Sequence, residues 1–332
     1  MKLVLVVLSL FVVYACAAID FDEWKAKNGK SYEDKDKNED EAKSAFNKTV
    51  SAIKKHNAKP DKTYEQGTNE NSDMTDNERQ ARNGYKHSDD HGKKVKAIPN
   101  KVRGTVPASW NVTKMMSAIK NQGVCGCCWE MATMSLFESM SIKNNTLYKT
   151  KTVTYSDQHV IDCDMYNAGC LGGNPSNMIY FAYSNGIALT ANYAALTSPK
   201  TNKNGTCNKK TTISWRLSNG GYCNLTQRSL EADLLNIVYG YAPVAVTIDS
   251  TDLAFANYKS GVYVPKVNAC SSSIHKANHV VVITGYGTDA KTKIDYWIVR
   301  NSWGTTWGMN GYAWVKRGVN ACGIGNQVWV AL

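Results

Sequence analysis

Residues 122–129, QGVCGCCW, lead into an apolar helical pattern, CWEMATMSLFESMSI, at residues 128–142. The pattern predicts a helix with Cys128 in its first turn. The unpaired N–H groups at a helix N-terminus carry partial positive charge, which lowers the pKa of a cysteine there and favours the thiolate. Position 128 is therefore a candidate nucleophile, provided that the fold supplies a cationic partner and donors for an oxyanion.

Two later segments offer that partner. His279 opens a predicted strand in NHVVVITGYG, and Asn301 closes the next strand in YWIVRNSWG. If the two strands are antiparallel neighbours, the two side chains meet. Asn301 could then hold one imidazole nitrogen and turn the other toward the sulfur. The order of the segments alone does not prove this contact.

The N-terminus reads MKLVLVVLSLFVVYACAA, with one lysine before an apolar run and small residues at its end. This pattern predicts a signal peptide at residues 1–18, because the run is too short to span a membrane. We therefore expect a secreted protein, extracellular or in a gut lumen, with a lysosomal destination as the alternative. No later apolar run reaches spanning length, so no membrane association is expected.

Secretion places the cysteines in an oxidising compartment. Ten cysteines are present, and Cys16 would leave with the signal peptide. The remaining nine are an odd number, so at least one thiol has no partner within the chain, as a nucleophile requires. Five sequons for N-glycosylation fit secretion and are candidate sites: Asn47, Asn111, Asn144, Asn204 and Asn224.

The charge of the chain gives no sign of nucleic-acid binding. Its 332 residues, enough for about two domains, carry a formal net charge of +11. No run of five basic residues occurs, and acidic residues interleave with the lysines. A nucleic-acid-binding protein would more often show a basic stripe.

The amino-acid composition of the chain changes near residue 100. Residues 19–97 are charged and lack cysteine, with helical periodicity from Phe21 to Asn57 that Pro60 ends. Residues 84–104 are polar and basic without a period, and predict an exposed linker where a processing protease would cut.

The later part is dense in glycine, tyrosine, tryptophan and cysteine. Further short helices are predicted at residues 156–163 and 176–184, and strands from about residue 236 onward. Helices followed by strands indicate an α+β protein with two lobes.

Several segments carry a family resemblance. QGVCGCCW, NHVVVITGYG and YWIVRNSWGTTWGMNGY resemble the three active-site segments of the papain family of cysteine peptidases. Residues 156–173 resemble the family's disulfide-bearing segment, and residues 21–73 resemble the inhibitory propeptide of cathepsin L-like members. The propeptide match rests on Phe46, Ile53 and Asn57, then Gly67, Asn69 and Asp73, and departs at Asn38, Ala42, Thr49 and Asn71. Within the family, DYWIVRNSW and NGGYCNL are most similar to mite digestive proteases, which include group 1 allergens.

The resemblance implies an architecture and an activity. A propeptide at residues 19–103 would precede a peptidase domain at residues 104–332, which has a helical left lobe, an antiparallel barrel-like right lobe and a cleft between them. The implied protein is a monomeric endopeptidase made as a zymogen, which cleaves protein and peptide substrates through an acyl-enzyme and needs neither metal nor cofactor. Its own propeptide and cystatin-like proteins would inhibit it. The alternative is an inactive or weakened paralogue that binds peptides or acts as an allergen-like secreted protein.

The resemblance also assigns roles to residues. Cys128 would be the nucleophile, His279 its base and Asn301 the group that orients His279. Gln122 and the Cys128 N–H would form the oxyanion hole. Trp303 would shield the His279–Asn301 hydrogen bond from water. Gly172 and Gly173 would offer backbone groups to the substrate. The main specificity pocket would be lined by Asn174, Pro175, Thr247, Ala277, Val280 and, at its base, Gln327.

The cysteines and the surroundings of the nucleophile depart partly from the family pattern. That pattern pairs Cys125 with Cys170, Cys163 with Cys207 and Cys270 with Cys322, and leaves Cys127, Cys128 and Cys223. Cys127 replaces the family's serine, and Glu130 and Met131 replace alanine and phenylalanine. A Glu130 carboxylate near the thiolate would work against ionisation of Cys128. A Cys127–Cys128 bond would be strained and reducible, and pairing of Cys127 with Cys223 stays open.

Overall fold

In the computed structural model, the strand-like segments after residue 240 form most of a mixed sheet. The structure describes residues 20–32, 38–88, 96–97, 105–144, 154–218, 220–224 and 230–331. The predicted signal peptide lies outside the described residues. Below, the prosegment means residues 20–88 and the main domain means residues 105–331. The strands are β1 Tyr64–Gln66, β2 Lys96–Ala97, β3 Trp110–Asn111, β4 Gly220–Asn224, β5 Val244–Ile248, β6 Tyr258–Tyr263, β7 His279–Thr288, β8 Asp295–Arg300, β9 Tyr312–Lys316 and β10 Gln327–Ala331.

The strand order is β1-β6-β9-β8-β7-β5-β10-β4-β2, with β3 against β7. Most neighbours are antiparallel, as the predicted right lobe requires, but β6 pairs with β9 and β2 with β4 in parallel. Strands β7, β8 and β9 form an antiparallel meander. Strand β6 pairs with the outer edge of β9 and runs in the same direction as β9, which gives the parallel β6–β9 pair. Inward-facing side chains of these strands, such as Val246, Ile283 and Val299, fill the core of this lobe.

Most of the helices lie in the other lobe and the prosegment, and the last two pack against the sheet. They are α1 Phe21–Lys27, α2 Glu39–Asn57, α3 Asp76–Arg82, α4 Cys128–Asn144, α5 Asp157–Cys163, α6 Pro175–Ser184, α7 Ser198–Thr201, α8 Leu230–Tyr241 and α9 Leu253–Ala256. The three helices predicted at residues 128–142, 156–163 and 176–184 are present as α4, α5 and α6. Ser156 caps α5 by accepting from the His159 N–H, and Pro175 occupies the first turn of α6. None of the described helices is long and apolar enough to cross a membrane.

The helical pattern from Phe21 to Asn57 forms two helices rather than one. The chain leaves α1 through Gly29, whose φ of 60° suits a residue without a side chain. Asn38, where the propeptide motif departs from the family, caps α2 by accepting from the Asp40 N–H at 2.9 Å.

The two prosegment helices pack together through a small apolar core of Phe21, Trp24, Ala42 and Phe46. The Trp24 indole also donates to the Asn69 carbonyl oxygen at 3.0 Å, which ties this core to the chain that leads toward the cleft.

The prosegment docks on the main domain mainly through the backbone. Strand β1 adds to the free edge of β6, and the Gly67 N–H donates to the Asn257 carbonyl oxygen at 2.9 Å. The described ion pairs of the prosegment each join two of its own residues, as in Lys30–Asp73. Hydrogen bonds from Lys48 and Arg79 lower the pKa of Asp76, so acid should weaken this internal pairing of the prosegment as Asp76 takes up a proton.

The predicted linker at residues 84–104 is exposed only in part. Tyr85 is 4% exposed, and Gly84 to Lys86 lie in the cleft of the main domain. The expectation of a solvated linker is therefore wrong for this stretch, because the cleft supplies hydrogen-bond partners for its backbone. Residues 89–95 and 98–104 lie outside the described residues.

Replacement of Phe46 by alanine tests the prosegment core. The Phe46 ring lies 4.9 Å from the Trp24 ring and 5.6 Å from the Phe21 ring, and a buried Phe→Ala change costs ~3–5 kcal/mol. We expect Phe46→Ala to lower the hydrogen-exchange protection of α1 and α2 amides while leaving β7 unchanged. The exposed Lys54→Ala on α2 is the control, and equal protection in Phe46→Ala and wild type would contradict this packing.

Candidate active site

The start of α4 lies against the start of β7 and beneath the prosegment. Cys128 is the first residue of α4, its side chain is fully buried, and the N–H groups of Val280 and Gly84 face its sulfur. Burial raises the pKa of the Cys128 thiol to about 11, and the surrounding N–H groups offset only part of this effect. In the docked state the sulfur is therefore a neutral thiol.

The predicted contact between His279 and Asn301 is present. Strands β7 and β8 are antiparallel, and His279 Nε2 donates to Asn301 Oδ1 at 2.8 Å. The other ring nitrogen, Nδ1, is buried without a hydrogen-bond partner among the described residues. The Trp303 ring lies 4.8 Å from the imidazole and covers it. Burial, with a smaller contribution from the nearby Arg82 charge, lowers the pKa of His279 to about 3.

The Gln122 side chain is held in place by three hydrogen bonds. Its Oε1 accepts from Ser302 Oγ at 2.7 Å, and its Nε2 donates to the Cys125 carbonyl oxygen at 2.9 Å. The same Nε2 donates to the Arg82 carbonyl oxygen of the prosegment at 2.9 Å. Ser302 was not among the predicted site residues; its position beside Asn301 was the only signal in the sequence.

Prosegment backbone occupies the cleft. The Gly173 N–H donates to the Gly84 carbonyl oxygen at 2.8 Å, and the Lys86 N–H donates to the Gly173 carbonyl oxygen at 2.9 Å. Gly172 has a φ of 114°, which favours glycine, and a Cβ there would press on the Gly84 carbonyl oxygen. Gly173 thus offers its backbone to an extended chain, and the chain seen on it is the prosegment. The Gly172 N–H and carbonyl oxygen bond instead within the turn of residues 168–172, so Gly172 contributes close approach rather than hydrogen bonds to that chain.

The Tyr85 side chain fills a pocket beside this backbone. Its hydroxyl donates to Gln327 Oε1, and its ring meets the Trp329 ring edge-on at 6.1 Å. Val280 belongs to the same apolar cluster, and Ala277 packs against that cluster. Trp329 was not among the residues predicted for the pocket. Residues two apart on a strand lie on the same face, so the prediction for Gln327 could have identified Trp329 as well.

The remaining residues predicted for the pocket are at its border. Asn174 Nδ2 donates to the Lys86 carbonyl oxygen at 3.1 Å, and Pro175 begins α6 directly after it. Thr247 lies opposite Val280 in the β5–β7 register and is buried, with no described partner for its hydroxyl.

Comparison with known proteins agrees with this geometry. The sequence model described as papain family cysteine protease matches residues 106–332, and the model described as cathepsin propeptide inhibitor domain matches residues 21–78. The chain belongs to the papain family.

One relative and one solved structure match nearly the whole chain, and another relative matches about two thirds of it. A cathepsin L-like proteinase of Fasciola hepatica is 30% identical over 317 residues, which cover 91% of this chain and 89% of the relative. A viral cathepsin of Orgyia pseudotsugata multicapsid polyhedrosis virus is 34% identical over 229 residues, which cover 68% of this chain but only 64% of the relative. The solved structure of digestive procathepsin L2 from Tenebrio molitor larval midgut superposes with a TM-score of 0.79 at 30% identity, covering 93% of this chain and 98% of that one.

Among the described residues, three disulfides are present, and they are the pairs that the papain-family pattern implies: Cys125–Cys170, Cys163–Cys207 and Cys270–Cys322. Cys127 and Cys128 are buried, have no disulfide partner in the described part of the chain and pack into different apolar clusters. Cys127 lies with Met131 and the Cys125–Cys170 bridge, away from the nucleophile, which makes a Cys127–Cys128 bond unfavourable. The Cys223 side chain lies outside the described residues.

Three of the five sequon asparagines can be placed: Asn47, Asn111 and Asn204 are exposed. Asn204 Oδ1 also accepts from the Cys170 N–H at 2.9 Å, so its amide packs against the turn before Gly172. The side chains of Asn144 and Asn224 lie outside the described residues.

Glu130, a departure from the papain pattern, belongs to a buried acidic cluster. Lys120 Nζ contacts Asp157 at 2.7 Å and Glu138 at 3.2 Å. Neither Glu130 oxygen has a described hydrogen-bond partner. Burial and the nearby Asp157 charge raise the pKa of Glu130 well above its usual range. Because Glu130 keeps its proton, the expected repulsion between a Glu130 carboxylate and the Cys128 thiolate does not arise.

Replacement of Glu130 by glutamine should change how stability depends on pH. A carboxyl whose pKa is raised by folding binds its proton more tightly in the native state than in the unfolded state. The free energy of unfolding therefore decreases as pH rises above the unfolded-state pKa of ~4.3. We expect Glu130→Gln to make this fall shallower, by up to ~1.4 kcal/mol per pH unit. Urea unfolding between pH 5 and 8, in a Cys128→Ala background, measures the slope.

The control for this measurement is Glu65→Gln. Glu65 is a half-exposed carboxylate paired with Lys62 and far from the cluster. Parallel stability curves for Glu130→Gln and the unmodified background would show that Glu130 is already ionised in the folded chain.

Proposed function

We propose that the chain is the zymogen of a secreted endopeptidase that cleaves peptide bonds through Cys128, His279 and Asn301. The domain boundaries proposed are a signal peptide at 1–18, an inhibitory propeptide at 19–103 and a peptidase domain at 104–332. The supporting observation is the orientation of His279, whose Nε2 is held by Asn301 while its free Nδ1 is buried in the cleft that contains Cys128.

The arrangement supports acyl transfer once the prosegment leaves. The Cys128 thiol gives its proton to His279 Nδ1, and the thiolate attacks the substrate carbonyl carbon. The Cys128 N–H and Gln122 Nε2 donate to the oxyanion, with Ser302 holding Gln122. His279 then protonates the leaving amine, and water hydrolyses the thioester. Asn301 keeps the ring in the tautomer that this sequence needs.

The prosegment prevents this reaction by occupying the same groups. The Arg82 carbonyl oxygen takes the Gln122 donor, and Gly84 lies over the sulfur. A Cβ on residue 84 would collide with the Gly126 carbonyl oxygen, so only glycine allows this approach. Protein and peptide substrates are thus excluded until the prosegment is removed. Inhibition by cystatin-like proteins, a monomeric state and kinship with mite digestive proteases stay predictions.

Catalysis is tested with the matured protein and a fluorogenic peptide. We expect Cys128→Ala to abolish hydrolysis and labelling by a thiol-reactive epoxide. Gln122→Ala should lower kcat by ~10²–10³, the cost of removing one oxyanion donor. Cys127→Ser, which changes the neighbouring thiol that packs elsewhere, is the control and should retain activity. Equal hydrolysis by wild type and Cys128→Ala would refute the assignment, and an inert wild type would favour the inactive-paralogue alternative.

The pocket that holds Tyr85 predicts the selection of the second residue before the cleaved bond. Its walls are apolar, so leucine and valine should be accepted, each gaining ~1.5–3 kcal/mol from burial. Gln327 at its base can bond a hydroxyl, as it does with Tyr85. We expect tyrosine to be cleaved about fivefold faster than phenylalanine there, as kcat/KM, which corresponds to ~1 kcal/mol for one hydrogen bond.

Gln327→Leu should reverse that preference, because the tyrosine hydroxyl would then be buried without a partner. Peptides that differ only in tyrosine or phenylalanine at this position make the comparison, and the leucine peptide serves as the control that should not change. Unaltered tyrosine-to-phenylalanine ratios in Gln327→Leu would remove Gln327 from the pocket.

A further inference from the structure

Two histidines meet where the prosegment leaves the cleft, one from each side of the boundary. His87 follows Tyr85 and Lys86 in the prosegment, and His275 lies in the short helical turn before His279 in the main domain. Their ring centres are 5.3 Å apart, and their ring planes are nearly perpendicular, at 87°. His275 is exposed and His87 is half-buried, so small ions can reach the pair from solvent. The proposed reaction uses neither imidazole.

The separation of the His87 and His275 rings fits a shared zinc ion. Zinc binds imidazole nitrogen at ~2.0–2.1 Å with tetrahedral angles, which places the centres of two ligating rings about 5 Å apart. Simple edge-to-face packing of rings covers ~4.5–7 Å, so the spacing permits the ion without demanding it. What favours the ion is the hydrogen bonding that holds His87.

A chain of hydrogen bonds fixes the tautomer of His87. The Tyr85 hydroxyl gives its proton to Gln327 Oε1, so its oxygen accepts from His87 Nδ1 at 3.4 Å. With the ring proton on Nδ1, the lone pair of His87 is on Nε2, at the other end of the ring. Zinc-ligating histidines are commonly held in this way, with the second ring N–H donated to an oxygen.

The surroundings of the two rings select the class of cation. The residues next to His87 and His275 in sequence include two exposed lysines, Lys86 and Lys276, and no carboxylate. Calcium and magnesium need several oxygen ligands, whereas imidazole suits zinc. The described part of the chain holds no group of three metal-binding side chains, so water would complete the zinc tetrahedron. Such a site binds its ion reversibly.

We propose that His87 and His275 bind one zinc ion across the boundary between the prosegment and the main domain, and that the ion holds the prosegment in the cleft. Only the docked chain brings both rings together. An ion that binds the docked form and not the released form stabilises docking once its concentration exceeds its Kd. Zinc would therefore delay maturation, and the site would disappear when the prosegment is removed. The ion has no part in catalysis.

Calorimetric titration of zinc into the full chain with Cys128→Ala tests the site, because this change removes the thiol beside His279 and prevents self-processing. We expect one zinc per chain and an X-ray absorption spectrum with two imidazole nitrogens on the metal. His87→Gln and His275→Gln should each weaken binding by more than the ~10-fold that loss of an outer hydrogen-bond partner costs. Lys276→Gln, beside His275 on the same turn, is the matched control and should not weaken binding.

Hydrogen exchange of residues 82–88 at a fixed neutral pH then measures the effect of zinc on docking. At free zinc about a hundredfold above its Kd, opening of this segment should become about 100-fold rarer. The His275→Gln chain should keep its zinc-free exchange rate at the same zinc concentration, and magnesium should protect neither chain.

Absence of zinc binding, unchanged affinity in His275→Gln, or zinc bound without added protection of residues 82–88 would each overturn the proposal. The inference rests on the proposed docking of an inhibitory prosegment but not on catalysis. Neither measurement needs hydrolysis, so a matured protein that proves inactive would contradict the proposed activity and leave the zinc result unaffected.

Discussion

The packing of α4 against β7 is the contact on which the site depends. Ala132 and Met134 of α4 share one apolar cluster with Val280 and Val282 of β7. Because Cys128 begins that helix and His279 begins that strand, packing the two elements side by side brings both ends to one point. The Cys125–Cys170 bridge then ties the turn before α4 to the turn before Gly172, so the substrate-facing backbone is held at the same place.

The same closeness explains how the prosegment inhibits. A site built to accept an extended chain offers backbone N–H and carbonyl groups, and any chain with a small residue at the sulfur can use them. Gly84 meets that requirement, and Tyr85 anchors the segment in the neighbouring pocket. The described contacts across the cleft are hydrogen bonds and apolar packing rather than ion pairs. The docked state should therefore resist salt and respond instead to charge placed on groups that it buries.

Local pattern was enough to predict the elements of the site but not everything that meets there. The helix at Cys128 and the strands at His279 and Asn301 follow from periodicity and from glycine and asparagine breaks. The burial of Tyr85 could not be predicted, because the polar and basic composition of residues 84–104 indicates an exposed linker. The hydrogen-bond partners for its backbone come from the cleft of the main domain, which exists only in the folded protein. The role of Ser302 depends on a hydrogen bond to a residue 180 positions away in sequence. The parallel β6–β9 pair likewise arises only when the whole sheet is assembled.

The unusual residues beside the nucleophile affect the protein differently from what their position in sequence suggests. Successive helical residues turn by about 100°, so Glu130 lies roughly 200° around α4 from Cys128 and faces the other side. There it joins Asp157 and Glu138 around Lys120, and it is neutral as long as it keeps its proton. Cys127 precedes the helix and packs with the Cys125–Cys170 bridge, where burial raises the pKa of its thiol. Because the Cys127 thiol is inert and Glu130 is protonated, the charge state of Cys128 is set by the helix terminus, the N–H groups of the cleft and His279. Cys127 and Glu130 therefore affect how the stability of the fold depends on pH rather than the reactivity of the nucleophile.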